Sequence, residues 1–153
     1  MNLLVPVGRV LFAFIFLAAA PRHFTQEGIT HAAEFGVPFA RVLVPASGVL
    51  AMLSSLSVMT GYRAQWGAWG LVLFLVPITF TLHAFWNVAD PVQHHVQQAM
   101  FAKNVSMIGA ALLLAHFGAG PYAISASLPS AQSDSRRGLA ESPSTGRGPA
   151  SSP

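Results

Sequence analysis

The stretch WGAWGLVLFLVPITFTLHAFW, residues 66–86, decides how the chain is read. It contains no Asp, Glu, Lys or Arg, and it sets Trp66 and Trp69 at one end and Trp86 at the other. As a helix, the twenty residues from the first indole to the last rise about 30 Å. That is the thickness of a bilayer's hydrocarbon core. Indole rings settle at the two membrane–water interfaces, so the spacing marks both of them. Pro77 lies mid-span and predicts a kink, with the freed carbonyl satisfied by neighbouring groups.

Working outward, three more apolar stretches stand out: 3–20, 42–60 and 100–117. Backbone groups in lipid must be satisfied internally, so each is predicted to be a helix. The short 61–65 link makes the second and third helices antiparallel neighbours. Composition agrees: 53% of residues are hydrophobic and only 8% charged, against about 25% charged in soluble domains. So few charges cannot cover a water-facing surface. The expected fold class is all-α, an integral membrane four-helix bundle over residues 1–122, with a disordered tail over 123–153 rich in Ser, Pro, Gly and Arg.

The first stretch has a second reading as a signal peptide, because Ala18-Ala19-Ala20 has the small residues of a cleavage site. Arg9 inside the stretch, the lack of basic residues at 2–8 and Pro21 after the alanines favour a retained helix. Two longer connections are predicted. Residues 21–41 include a short interfacial helix around 30–35. Residues 87–99 carry Asp90-Pro91, His94, His95 and three glutamines as a loop. Arg63 and the tail arginines, Arg136, Arg137 and Arg147, outweigh Arg22 and Arg41, with Lys103 just inside the fourth helix, on the opposite side, which predicts both termini in the cytoplasm.

Several function classes are excluded or left without residues. The basic residues are scattered, with no stripe interleaved with aromatics, so the net charge of +3 does not signal nucleic-acid binding. The absence of cysteine excludes disulfides and thiol redox chemistry by this chain. There is no GxGxxG, P-loop, GxSxG or HExxH, and no carboxylate falls inside the four stretches. The histidines show no i, i+4 pair, so no metal site is predicted; His23 and His83 are the one pair suited to spanning a haem. Catalysis of its own is not expected of the chain.

Polar groups at membrane depth are the informative ones. Arg9, about 9 Å into the first helix, is either a buried cation that holds an anionic ligand or partner helix, or a side chain snorkelling to the headgroups. On the opposite side, His83, Trp86 and Asn87 close the third helix and Lys103 and Asn104 open the fourth. His23 reaches the same level. These six are predicted to form one polar cluster, read either as a site for a quinone headgroup, an anion or a partner protein, or as a hydrogen-bonded cap between helices. Small-residue stripes, Ser47/Ala51/Ser55 and Ala102/Ser106/Ala110, are packing signals.

Several short motifs recur in order along the membrane part. They are Gly8-Arg9, Pro45-Ala46-Ser47-Gly48-Val49-Leu50, Gly61-Tyr62-Arg63, His83-Ala84-Phe85-Trp86-Asn87, Asp90-Pro91, Phe101-Ala102-Lys103-Asn104, Gly109 and Gly118-Ala119-Gly120-Pro121. With them the chain resembles the DoxX family, within the DoxD-like group. The resemblance implies a multi-pass protein of the bacterial inner membrane. It also implies an accessory role in a quinone-linked membrane redox system, alongside other redox subunits or further copies of itself. At the position where many members carry a glutamate stands Ala51, so an Arg–Glu pair with Arg9 is not carried over. The alternative function is a non-catalytic membrane protein that assembles or escorts partners.

Overall fold

The computed structural model describes residues 3–124. These form five α-helices and two 3-10 turns, with no strand among them: α1 (Leu4–Ala19), a turn (Ala20–Phe24), α2 (Gln26–Glu34), α3 (Ala40–Thr60), α4 (Ala64–Leu82), a turn (Phe85–Asn87) and α5 (Pro91–Phe117). Four segments are long and apolar enough to cross a membrane: Leu4–Phe24, Ala40–Thr60, Ala64–Asn87 and Pro91–Phe117. The chain is therefore all-α and built on four long apolar helices, as the sequence predicts.

Neighbours in sequence are neighbours in space. α1 packs on α3, α3 on α4, and α4 on α5. The core is narrow and made largely of small residues, with Ala13, Ala51, Ala68, Ala111 and Ala115 around Phe16, Val58, Leu71, Phe74 and Leu75. Larger apolar side chains point the other way. Leu11, Phe14, Leu53, Leu73, Phe80 and Leu113 are each more than half exposed along the spans. A protein in water would bury these side chains; in a bilayer they are the lipid-facing coat. Trp66 and Trp69 are exposed at one end of α4, and Trp86 is exposed in the turn beyond its other end.

Close approach of α3 and α4 depends on glycine. A Cβ on Gly67 would lie 2.6 Å from Ser57 Oγ and 2.8 Å from the Ser54 carbonyl oxygen, and one on Gly70 would run into Ser54 Oγ. Small residues at such crossings let backbones pack tightly where lipid supplies no hydrophobic drive for helices to associate. The helices continue through Pro45 and Pro77.

Three boundaries differ from expectation. α5 begins at Pro91, nine residues before 100. Asp90 caps it by accepting from the Gln93 amide at 2.8 Å, and Pro91 occupies a first-turn site where its missing N–H costs nothing. The glutamines and histidines that read as a loop are the first turns of a 27-residue helix. At about 40 Å it overreaches the hydrocarbon core, so its polar start sits in the headgroup layer. α4 in turn stops at Leu82. His83 leaves helical geometry at φ −114°, ψ 33°, and the chain turns through Phe85–Asn87. His83 and Asn87 therefore do not share a helical face. The interfacial helix expected around 30–35 is α2, which starts earlier, at Gln26, because Thr25 caps it through the Gly28 amide at 3.1 Å. Of the predicted tail, Ala123 and Ile124 belong to the described part; the rest of 123–153 lies outside the described residues.

Candidate functional site

The six residues of the predicted polar cluster are distributed over three settings. His83 Nδ1 lies 2.7 Å from Gln97 Oε1, which ties the end of α4 to α5. Trp86 stacks edge-on with Phe85 and Phe101, and Phe85 also meets the His94 ring. His94 Nδ1 reaches the Val88 carbonyl at 3.4 Å. This is a hydrogen-bonded and aromatic cap over the α4–α5 connection. Asn87 is exposed beside it.

Lys103 and Asn104, adjacent on α5, point in different directions. Lys103 is exposed, with its Nζ 3.4 Å from Met100 Sδ, whereas Asn104 is only 4% exposed and faces the bundle. His23 sits on another side, with its ring 5.5 Å from Phe74 and its Cβ over Gly48, where a glycine Cβ would come within 2.6 Å of it. The structure thus brings His83 and Trp86 into one neighbourhood and sets His23 and Lys103 apart from it.

Gln97 is the partner that the sequence reading missed. His94, Gln97, Phe101, Asn104, Ile108, Ala111 and Ala115 follow alternating steps of three and four, the signature of one helical face. That spacing was visible from residue 94 onward. It was obscured because the first half of the stripe is polar rather than apolar.

A second feature was not anticipated. α2 lies against the start of α3 through Ala32, Ala40 and Val44, with Ile29, Val37 and Leu82 around them. Gly36 (φ 80°) and Phe39 (φ 49°) turn the chain sharply between the two helices. Between them opens a groove of about 520 Å³ with apolar walls from Ile29, Ala33, Val37, Phe39 and Val42. Gln26, Thr30 and Arg41 line it as the polar members. Phe39, at the rim of the groove, is 84% exposed.

Arg9 is the third feature. It is 3% exposed, donates from Nη1 to the Ala119 carbonyl at 2.5 Å and lies 3.3 Å from the Tyr122 carbonyl through Nη2. Its head is therefore enclosed by the segment after α5. Among the described residues no group of three or more His, Cys, Asp or Glu is placed to hold a metal ion.

The lipid-facing coat, the indoles at both ends and the four long helices define a multi-pass helical membrane protein. The sequence model of the SURF4 family matches residues 1–127. The chain belongs to the SURF4 family. It is 29% identical over 119 residues to the Surfeit locus protein 4 homolog of Schizosaccharomyces pombe, an alignment that covers 76% of this chain and 35% of that protein. The chain thus spans about a third of the length of that relative. No solved structure matches.

These matches overturn the DoxX resemblance. Its motifs are one to six residues long and drawn from what any four-helix membrane protein needs. Pro91 after a capping Asp90, a glycine at a helix end and a tryptophan at the interface each answer to local physics and carry little family information. A bacterial inner membrane was an implication of that resemblance and has no support from a relative in Schizosaccharomyces pombe.

Proposed function

We propose that this SURF4-family chain is a non-catalytic membrane protein that holds a partner protein at the bilayer surface, with the α2–α3 groove as its docking site. The observation that carries the reading is the groove itself. A volume of about 520 Å³ is within the range of ligand-sized sites. Apolar walls supply the affinity, and the Arg41 guanidinium beside them favours an acidic group. The occupant that fits is a short segment with an apolar side chain next to a carboxylate. The polar neighbourhood at His83 supports the same reading from the other direction, since its groups are engaged with Gln97, Val88 and the surrounding rings. A quinone-linked redox role rests on the DoxX resemblance and on the predicted polar cluster, and neither the family match nor the dispersal of that cluster supports it.

The test is binding of fluorescent peptides to the full chain in lipid nanodiscs. A peptide pairing leucine with aspartate is expected to bind, one pairing leucine with lysine is not, and Arg41→Glu should reverse the preference. Ala33→Trp, which fills the groove, should abolish both. Equal anisotropy for all peptides, or binding indifferent to both substitutions, removes the proposal. Lipid as the sole occupant would show as displacement by detergent but not by peptide.

A further inference from the structure

At the opposite end of the bundle from the groove, the segment 118–123 folds back over Arg9. Gly118 ends α5 with its amide on the Leu114 carbonyl at 2.9 Å. Three positions from the cap onward have positive φ: Gly118 at 78°, Gly120 at 67° and Tyr122 at 58°. A Cβ on Gly120 would lie 2.9 Å from Val5 Cγ1. One on Gly61 would lie 2.7 Å from Ala123 Cβ and 3.0 Å from Arg9 Nη1. The strap, α1 and the α3–α4 turn therefore close around one guanidinium.

That closure leaves the cation poorly satisfied. A guanidinium offers five N–H donors in a planar fork. Here Nη1 and Nη2 meet only neutral carbonyls, and Nε is buried with no acceptor. The one ion pair among the described residues, Arg22 with Glu27, lies at the other end of α1. Buried charges are ordinarily paired with an opposite charge, because carbonyl dipoles do not cancel a full one. The Nε edge of the fork is the geometry that takes two oxygens of a phosphate or carboxylate. Arg9 also lies level with Gly61 and Gly118, the caps of α3 and α5, so it sits at the headgroup layer rather than mid-membrane. Tyr122, a non-glycine in left-handed geometry, adds backbone strain that opening would relieve.

We propose that Arg9 is an oxyanion-binding residue for a phosphate group, and that the 118–123 strap is a displaceable lid whose Ala119 and Tyr122 carbonyls occupy the fork until an oxyanion replaces them. The phosphate belongs either to an anionic lipid headgroup or to a soluble phosphate. The chain has no cysteine, so a single Tyr122→Cys carries a spin label without background; the Tyr122 side chain is 64% exposed and tolerates it. The labelled full chain is placed in nanodiscs of phosphatidylcholine, of phosphatidylcholine with phosphatidylglycerol, and of phosphatidylcholine with inorganic phosphate added.

Phosphatidylcholine, whose phosphate is paired with its own choline cation, gives the baseline, and the mobile fraction of the label is expected to rise severalfold above it when phosphatidylglycerol or inorganic phosphate is present. A rise with phosphatidylglycerol alone identifies the headgroup as the source, and a rise with inorganic phosphate alone identifies a soluble ligand. Arg9→Gln should abolish the rise, and Arg9→Lys, which keeps the charge but lacks the Nε fork, should reduce it while retaining the fold. No rise in either arm overturns the proposal, as does a rise that persists in Arg9→Gln or is undiminished in Arg9→Lys. None of these outcomes touches the groove at the other end.

Discussion

Gly67 and Gly109 are both helical glycines, yet their surroundings give opposite consequences for a side chain. At Gly67 a single methyl group meets Ser57 and the Ser54 carbonyl, which is backbone and cannot rotate away. Gly67→Val is expected to destabilise the bundle by about 1–3 kcal/mol through overpacking of α3 against α4. At Gly109 a Cβ would meet nothing within 4 Å. Gly109→Ala should be neutral or stabilising by up to about 1 kcal/mol, since alanine restricts the unfolded chain and favours helix. Unfolding in mixed micelles, followed by circular dichroism, measures both; equal destabilisation would contradict the packing described. Sequence patterning cannot separate these two glycines, because clash or open space is a property of the neighbouring helix. The His83–Gln97 bond makes a second residue-scale prediction. A double-mutant cycle with His83→Ala and Gln97→Ala should show a coupling of about 0.5–1.5 kcal/mol, and additivity would mean that the 2.7 Å contact contributes nothing.

α5 shows how an element is specified by its ends. Its first turns carry the glutamines and histidines of a polar connection, and its start is defined by Asp90 and Pro91. Asp90→Ala is expected to cost about 1 kcal/mol and to speed hydrogen exchange at the Gln93 amide, which the carboxylate accepts from at 2.8 Å. Unchanged exchange there would place the true start of the helix later. Thr25→Ala makes the parallel prediction for α2, with exchange faster at Gly28. Its consequence reaches further, since α2 forms one wall of the groove and a frayed α2 should weaken peptide binding there. The four long helices were legible from hydropathy because each must hide its own backbone from lipid, a requirement local to the segment. The Asp90-Pro91 start is equally local, but hydropathy does not register it, because the residues that follow the cap are polar. The end of α4 was missed for a different reason. Nothing in the apolar run 66–86 marks the point where His83 leaves the helix.

Crossing by all four candidate spans would put the two ends of the described chain on the same side of the membrane. With no native cysteine, single cysteines at Leu3 and Ile124 should label from one side, and cysteines at Gly36 and Asn87 from the other. Labelling of Leu3 and Ile124 from opposite sides would eliminate the four-span arrangement. The same experiment in native membranes tests whether the shared side is the cytoplasm, as the arginine distribution predicts. Taken alone, the sequence determined the solvent of this protein and the number and approximate placement of its membrane helices. Those properties follow from composition and from backbone hydrogen bonding within one segment at a time. Only the tertiary structure decided that Lys103 and Asn104 face apart, that His83 meets Gln97, that α2 and α3 leave a groove, and that the chain after α5 returns to enclose Arg9. Each of these depends on which residues distant in sequence are brought within a few ångströms, and that distance is set by helix crossings and turn geometry rather than by any local pattern.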